Sequence, residues 1–167
     1  MFRRLDDFAD TWKFEAKSTL RVMRALTDAS LATTVGSDNR TLGRVAWHIT
    51  GTLGEMMGLV GLTVNAPHHE SPPPASAEAI ASAYETGARS LGEEVAKHWT
   101  DALLETENPM YGFVWKKGVT LYALVSHQAH HRGQMTVLMR HAGLRVPGVA
   151  GPAREDWASM GMEAPQV

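Results

Sequence analysis

Four segments of this chain repeat apolar residues at every third or fourth position, and this repeat restricts the possible folds more than any other feature. Because an α-helix turns about 100° per residue, such a repeat places the apolar side chains on one face. Four helices of this kind bury their apolar faces most simply against one another. The sequence therefore predicts an all-α four-helix bundle, with helices at about residues 5–33, 41–62, 77–106 and 119–142.

The segments between the helices contain turn-forming and helix-breaking residues. Residues 36–40 form a polar turn, and residues 63–76, with three consecutive prolines, predict an extended linker that crosses the bundle. Residues 108–118 predict a turn-rich link with a little extended structure, and residues 143–167 a Pro/Gly loop with one short helix. A chain of 167 residues suits a single domain, which we place at residues 1–167.

Two finer expectations concern the second helix. The short polar turn before it predicts that the first and second helices are antiparallel neighbours. Glycines at positions 51, 54, 58 and 61 weaken this helix, which indicates close contact with another helix or with a second subunit.

Charge and composition exclude several functional classes. The formal net charge is -2 and charged residues are scattered, so neither nucleic acid nor an anionic membrane is an expected partner. No apolar run approaches a membrane-spanning length and the N-terminus lacks a signal core, so we expect a cytoplasmic protein. Cysteine is absent, which excludes disulfides and thiolate ligands. A thiol that takes part in the chemistry must therefore come from another molecule.

Two histidines interrupt the apolar stripe of the fourth helix. Leu124 and Leu138 lie about 20° to either side of His131, so His131 and His127 are expected to point inward. Residues four apart share a helix face, and two such imidazoles can bind one divalent ion. His130, about 100° away, is expected to support the site or lie on the surface. The alternative for each inward histidine is a hydrogen-bonded core residue.

A third candidate ligand lies at the edge of the apolar stripe in the second helix. His48 can reach inward there, although a hydrogen-bonded boundary histidine would show the same pattern. Together with His127 and His131 it would supply three neutral nitrogen donors. Three protein ligands leave one coordination position for water or substrate, as in catalytic sites. Zinc and nickel are the favoured ions, and iron or manganese can also be accommodated.

Neighbouring residues limit the chemistry of such a site. A zinc protease would have glutamate directly after the first histidine of the fourth helix, where this chain has Gln128, so peptide hydrolysis is disfavoured. Residues expected to line or support the pocket are Trp47, Thr50, His130, Arg132 and Gln134. Arg132 points about 100° away from His131, and its alternative role is an ion pair with a carboxylate on a neighbouring helix.

The order of these motifs resembles that of the DinB/YfiT-like family across nearly the whole chain. The matching elements are Trp47-His48-Ile49, His127-x-x-His130-His131-Arg132-Gly133-Gln134, Arg140-x-x-Gly143 and Val146-Pro147-Gly148. The resemblance implies a four-helix bundle with a divalent ion on three histidines, which correspond here to His48, His127 and His131. It also implies a homodimer and, from the better-understood branches, a low-molecular-weight thiol cosubstrate in S-transfer or isomerisation.

Two functional hypotheses follow from the sequence. The first is a metal-dependent enzyme that binds a small thiol or a water molecule on the ion and acts on a small-molecule substrate by thiol transfer, isomerisation or hydrolysis. The second is a non-catalytic, metal-binding dimeric bundle that serves as a stress-related sensor, a scaffold or a small-ligand binder. A fourth protein ligand, or histidines hydrogen-bonded without an ion, would favour the second.

Overall fold

The computed structural model describes residues 1–166 and confirms the all-α four-helix bundle. The helices are α1 (Leu5–Arg24), α2 (Leu42–Gly58), α3 (Ala77–His98) and α4 (Lys117–His141). Two short strands, β1 (Glu107–Met110) and β2 (Phe113–Lys116), form an antiparallel hairpin before α4. The core lies between the apolar faces of the four helices, and no helix of the described chain has both the length and the apolar character needed to cross a membrane.

The helices are not arranged as the connections suggested. Helices α1 and α2 each pack against α3 and α4, so α1 and α2 lie diagonally across the bundle and are not neighbours. The prediction that the first and second helices are neighbours was wrong because α1 ends at Arg24 and not near residue 33. A 3₁₀ turn at Asp28–Ala32 follows, and Thr27 caps it by accepting a hydrogen bond from the Ser30 amide at 3.3 Å. The longer connection allows the chain to reach the opposite corner.

Helices α2 and α3 also end earlier than their apolar periodicity predicted. After α2 the chain turns at Gly61, whose φ of 85° is in the left-handed region. After α3 a 3₁₀ turn at Asp101–Glu105 buries Leu104 in the core. Because a 3₁₀ turn has nearly the same residue spacing as an α-helix, the sequence pattern did not distinguish them. The predicted C-terminal helix is two 3₁₀ turns, Arg154–Asp156 and Ala158–Met160.

The linker between α2 and α3 lies along the surface of α2 and contains no helix. A Cβ atom on Gly51 would lie 2.6 Å from the Cα of His69, so only glycine allows this approach. Arg44 donates a hydrogen bond to the Ser71 carbonyl at 2.8 Å, and the Trp47 indole donates to the Ser71 hydroxyl at 3.0 Å. Gly51 therefore accommodates the chain's own linker, and not the second helix or subunit that its sequence context suggested.

Candidate metal centre

Three imidazoles from two helices meet at the edge of the core. The Nε2 atom of His127 lies 3.2 Å from that of His48 and 3.1 Å from that of His131. One nitrogen from each residue belongs to a group whose members all lie within 4.8 Å of one another. Tetrahedral zinc with Zn–N bonds of about 2.0–2.1 Å holds its donors about 3.3–3.4 Å apart. The two distances from His127 Nε2 are therefore close to those between the ligands of a metal site.

The two helices place these side chains by simple geometry. On α4, His127 and His131 are one turn apart and share the side that faces His48 on α2. Gln134, about one turn further along α4, holds the ring of His131 in place, because the Gln134 Oε1 atom lies 2.7 Å from His131 Nδ1. An amide oxygen can only accept, so Nδ1 carries the proton and Nε2 presents a lone pair.

The protonation state of the three rings also suits metal binding. Burial is the main cause that lowers the pKa of His48 to about 4 and that of His127 to about 4, and burial lowers the pKa of His131 as well. The positive charge of Arg40 acts on all three rings in the same direction. Imidazoles with such pKa values are neutral at pH 7, and the neutral form is the one that ligates a metal.

Direct hydrogen bonding does not account for this geometry equally well. His131 Nε2 presents a lone pair, so its contact with His127 requires a proton on His127 Nε2. One N–H cannot point at both rings, so the contact between His127 Nε2 and His48 Nε2 would lack a well-directed hydrogen bond. A cation would instead accept the lone pairs of all three Nε2 atoms.

A cavity of about 460 Å³ opens beside His131. Its rim is polar and includes Asp38, Asn39 and Arg40 from the connection before α2, together with Gln134. One wall is apolar and consists of Val35, Val45, Val137 and Leu138. Sequence analysis missed this contribution, because residues 36–40 were interpreted only as a turn. The available signal was that this polar turn directly precedes the helix that carries His48.

Three of the residues expected near the pocket lie elsewhere or make only local contacts. The Trp47 indole is bonded to Ser71, and the buried Thr50 hydroxyl donates to the Ala46 carbonyl one turn earlier at 3.0 Å. His130 is exposed, and the Gln134 amide nitrogen lies 3.3 Å from its Nε2. Neither Trp47 nor Thr50 lines the cavity beside His131.

Arg132 was expected to line or support the pocket, and this expectation was wrong. Its side chain is buried on the opposite side of α4, where it contacts α1 and not the imidazoles. The guanidinium lies 2.6 Å from the Glu15 carboxylate and donates to the Thr19 hydroxyl at 3.0 Å. This is the alternative that its angle on the helix suggested, an ion pair with a neighbouring helix.

Gln128 also points away from the histidines. The Tyr84 hydroxyl donates to its Oε1 at 2.5 Å inside the core, and burial raises the pKa of Tyr84. Within residues 1–166, no carboxylate and no fourth imidazole joins the three-histidine group. The described protein donors are therefore three in number, which leaves room at a tetrahedral ion for a fourth ligand from solution.

Comparison with known proteins agrees with this fold. The DinB family model matches residues 1–166 of the chain. The chain belongs to the DinB family. An uncharacterised DinB relative, YrdA of Bacillus subtilis (strain 168), is 44% identical over 167 residues, which is the full length of both chains. A crystal structure of a DinB-like protein from Bacillus cereus ATCC 10987 is 40% identical, with a TM-score of 0.86, and the match covers 89% of this chain and 99% of that one.

Family and geometry together support a coarse functional statement. Membership of the DinB family and the three converging imidazoles fit a metal-binding protein of the DinB type. The names of the two relatives specify no reaction and no substrate. The chemistry must therefore be argued from the residues around the site.

Proposed function

We propose that this protein is a metal-dependent enzyme that acts on a small molecule. One observation carries the proposal: the Nε2 atoms of His48, His127 and His131 converge with spacings close to those of metal ligands. We assign these three residues as the ligands of one divalent ion. Nitrogen donors favour zinc or nickel, and iron or manganese can also bind such a set.

The surroundings of the three histidines suit catalysis better than a purely structural role. With three protein donors, one coordination position remains for a small molecule that enters through the cavity. A divalent ion at this place would lower the pKa of a bound thiol or water and so supply a nucleophile near neutral pH. Because the chain has no cysteine, a thiol nucleophile must come from a low-molecular-weight cosubstrate.

The residues of the chain have definable tasks in this proposal. Gln134 fixes the ring of His131 so that Nε2 faces the ion. The apolar wall formed by Val45, Val137 and Leu138 excludes water from one side of a bound substrate. The three-histidine group contains no carboxylate of the described chain, so the proton of the nucleophile leaves to solvent, to the substrate or to the exposed His130, whose ring centroid lies 4.9 Å from that of His131.

Two measurements test this proposal. Protein purified without a histidine tag should contain about one divalent transition-metal ion per chain, consistent with one three-histidine site. A metal content below about a tenth of that, which zinc or nickel cannot restore, would contradict metal binding.

For the chemistry, a panel of cellular thiols is offered with 1-chloro-2,4-dinitrobenzene. In the reaction the thiol sulfur forms a bond to the ring carbon, chloride leaves and the thiol proton goes to solvent. We expect turnover that is lost with a chelator and restored by metal. A metal-loaded protein that turns over no thiol in the panel would favour the non-catalytic sensor, scaffold or ligand-binding role.

We also propose that the protein is a homodimer, as the family resemblance implies. The glycines of α2 no longer support this, because Gly51 is in contact with the protein's own linker. Light scattering at micromolar concentration should give about twice the mass of one chain, and the monomer mass would refute the dimer.

A further inference from the structure

Arg40 on the rim of the cavity has a charge that the described chain does not neutralise. The side chain is exposed and forms no ion pair with any carboxylate in residues 1–166. Arg44, four residues later, differs because it donates to the carbonyls of His69 and Ser71 and so secures the linker. Arg40 therefore has no comparable structural task.

The position of Arg40 is unfavourable for a site that binds only a cation. Arg40 and His131 line the same cavity, so the positive charge of the arginine lies near the place where the imidazoles would hold an ion. This charge would repel a divalent ion on these rings. A negatively charged group placed between the arginine and the ion would be attracted by both, and this would remove the repulsion.

We infer that the substrate of this site is a small molecule with a carboxylate or similar anionic group, which Arg40 binds at the rim of the cavity. The apolar part of the molecule lies against Val137 and Leu138 on the wall below the rim. The inference rests on the proposed function, because it concerns the substrate of the same site. Arg40 is thus a specificity-determining residue.

Asp38 on the same rim limits where the anionic group can bind. Its carboxylate is exposed and its only hydrogen bond within the described chain is a long one, 3.5 Å, from the Ser37 hydroxyl. With an ion bound, the ion and Arg40 together outweigh this single negative charge, so the cavity as a whole attracts anions. Asp38 weakens that attraction and restricts the anion to the side of Arg40.

The test compares hexanoate with hexanamide, which have nearly the same shape but differ in charge. Dissociation constants are measured by NMR titration with zinc-loaded and with metal-free protein. We expect hexanoate to bind about tenfold more tightly than hexanamide, as suits a hydrogen bond to a charged group. In Arg40→Gln this preference should disappear in the metal-free protein and become smaller in the zinc-loaded protein, where the ion still attracts the carboxylate. In Arg89→Gln, which removes an exposed arginine between α1 and α3, it should persist.

The outcomes separate this inference from the proposed function. Equal binding of the two probes by the unmodified protein, or an undiminished preference in metal-free Arg40→Gln, overturns the role of Arg40. Zinc affinity reports on the metal site independently, and it should be no weaker in Arg40→Gln, because the substitution removes a repelling charge. A protein that binds no zinc but prefers hexanoate through Arg40 would refute the metal site and retain the anion site.

Discussion

Two groups of polar side chains lie on opposite sides of the same helix, and they differ in how completely they are paired. On one side of α4, Arg132 is bonded to Glu15 and Thr19, in a buried contact with α1. On the other side, His127 and His131 direct their Nε2 atoms at each other and at His48, with no carboxylate of residues 1–166 among them. The first group is paired within the chain, whereas the second could hold a cation from outside.

The difference shows which polar residues in a helical core indicate function. Buried polar groups are usually hydrogen-bonded, and the Arg132–Glu15 pair meets this requirement by linking two helices. The three histidines do not meet it among themselves, because His127 Nε2 contacts two rings and can donate or accept only one hydrogen bond. Polarity or burial alone does not mark the histidine group as a binding site. The group is marked by ring nitrogens that lie close together and have too few N–H groups to hydrogen-bond one another.

The largest effect should come from removal of two imidazoles on the histidine side. We expect His127→Ala combined with His131→Ala to weaken zinc binding at least about a thousandfold, because one donor remains. Calorimetric titration of the apoprotein measures this. The matched control is His68→Ala with His69→Ala, which removes two imidazoles from the linker and should leave zinc affinity unchanged. Similar affinities for the two double variants would show that α4 holds no metal site.

Loss of the ion pair on the other side should affect stability and not metal binding. Arg132→Met leaves the partly buried Glu15 carboxylate without its partner, which should lower the free energy of unfolding by about 1–3 kcal/mol. Urea denaturation provides the measurement. Adding Glu15→Gln should restore most of the loss, since it removes the unpaired charge. If Arg132→Met instead abolished zinc binding in protein that remained folded, the separation of the two sides would be wrong.

A smaller effect is expected at the residue that orients His131. Gln134→Ala removes the acceptor for the Nδ1 proton and should weaken zinc binding about tenfold, as is typical for residues behind a metal ligand. Gln134→Glu keeps an acceptor and should retain the affinity or increase it. Competition with a zinc chelator resolves these differences. Equal affinity for the alanine variant and the unmodified protein would mean that Gln134 has no orienting role.

A separate effect concerns the pH dependence of the stability of the metal-free protein. Because the folded-state pKa of His48 and that of His127 are about 4, against 6.5 for the unperturbed side chain, the unfolded state binds more protons between these values. Stability should therefore decrease as the pH falls from about 6.5 to about 4, and these two groups should contribute no change above that range.

Thermal unfolding at pH 7.5 and pH 5 tests this expectation. The double variant His48→Ala/His127→Ala should lose part of the dependence that the unmodified protein shows. An identical decrease in both proteins would assign the pH effect to other groups.

The sequence predicted the helix faces better than the connections. Spacing placed His127 and His131 on one inward face of a helix and His48 at the edge of another face, because each helix turns by a fixed angle per residue, and the family resemblance joined the three residues in one site. Spacing could not predict that α1 ends at Arg24, since an apolar pattern continues through the 3₁₀ turn. The diagonal arrangement of α1 and α2 depends on that connection. For the same reason the contribution of Arg40 to the cavity was missed, because only the folded connection places it beside α4.

X-ray absorption at the metal edge of the zinc-loaded protein tests the central claim most directly. The account predicts three imidazole nitrogens at about 2.0–2.1 Å and one further light atom from solution. In His48→Ala the imidazole contribution should fall by one ring. A fourth protein donor in the unmodified protein would contradict the catalytic role, and a spectrum that does not change in His48→Ala would contradict the assignment of the site itself.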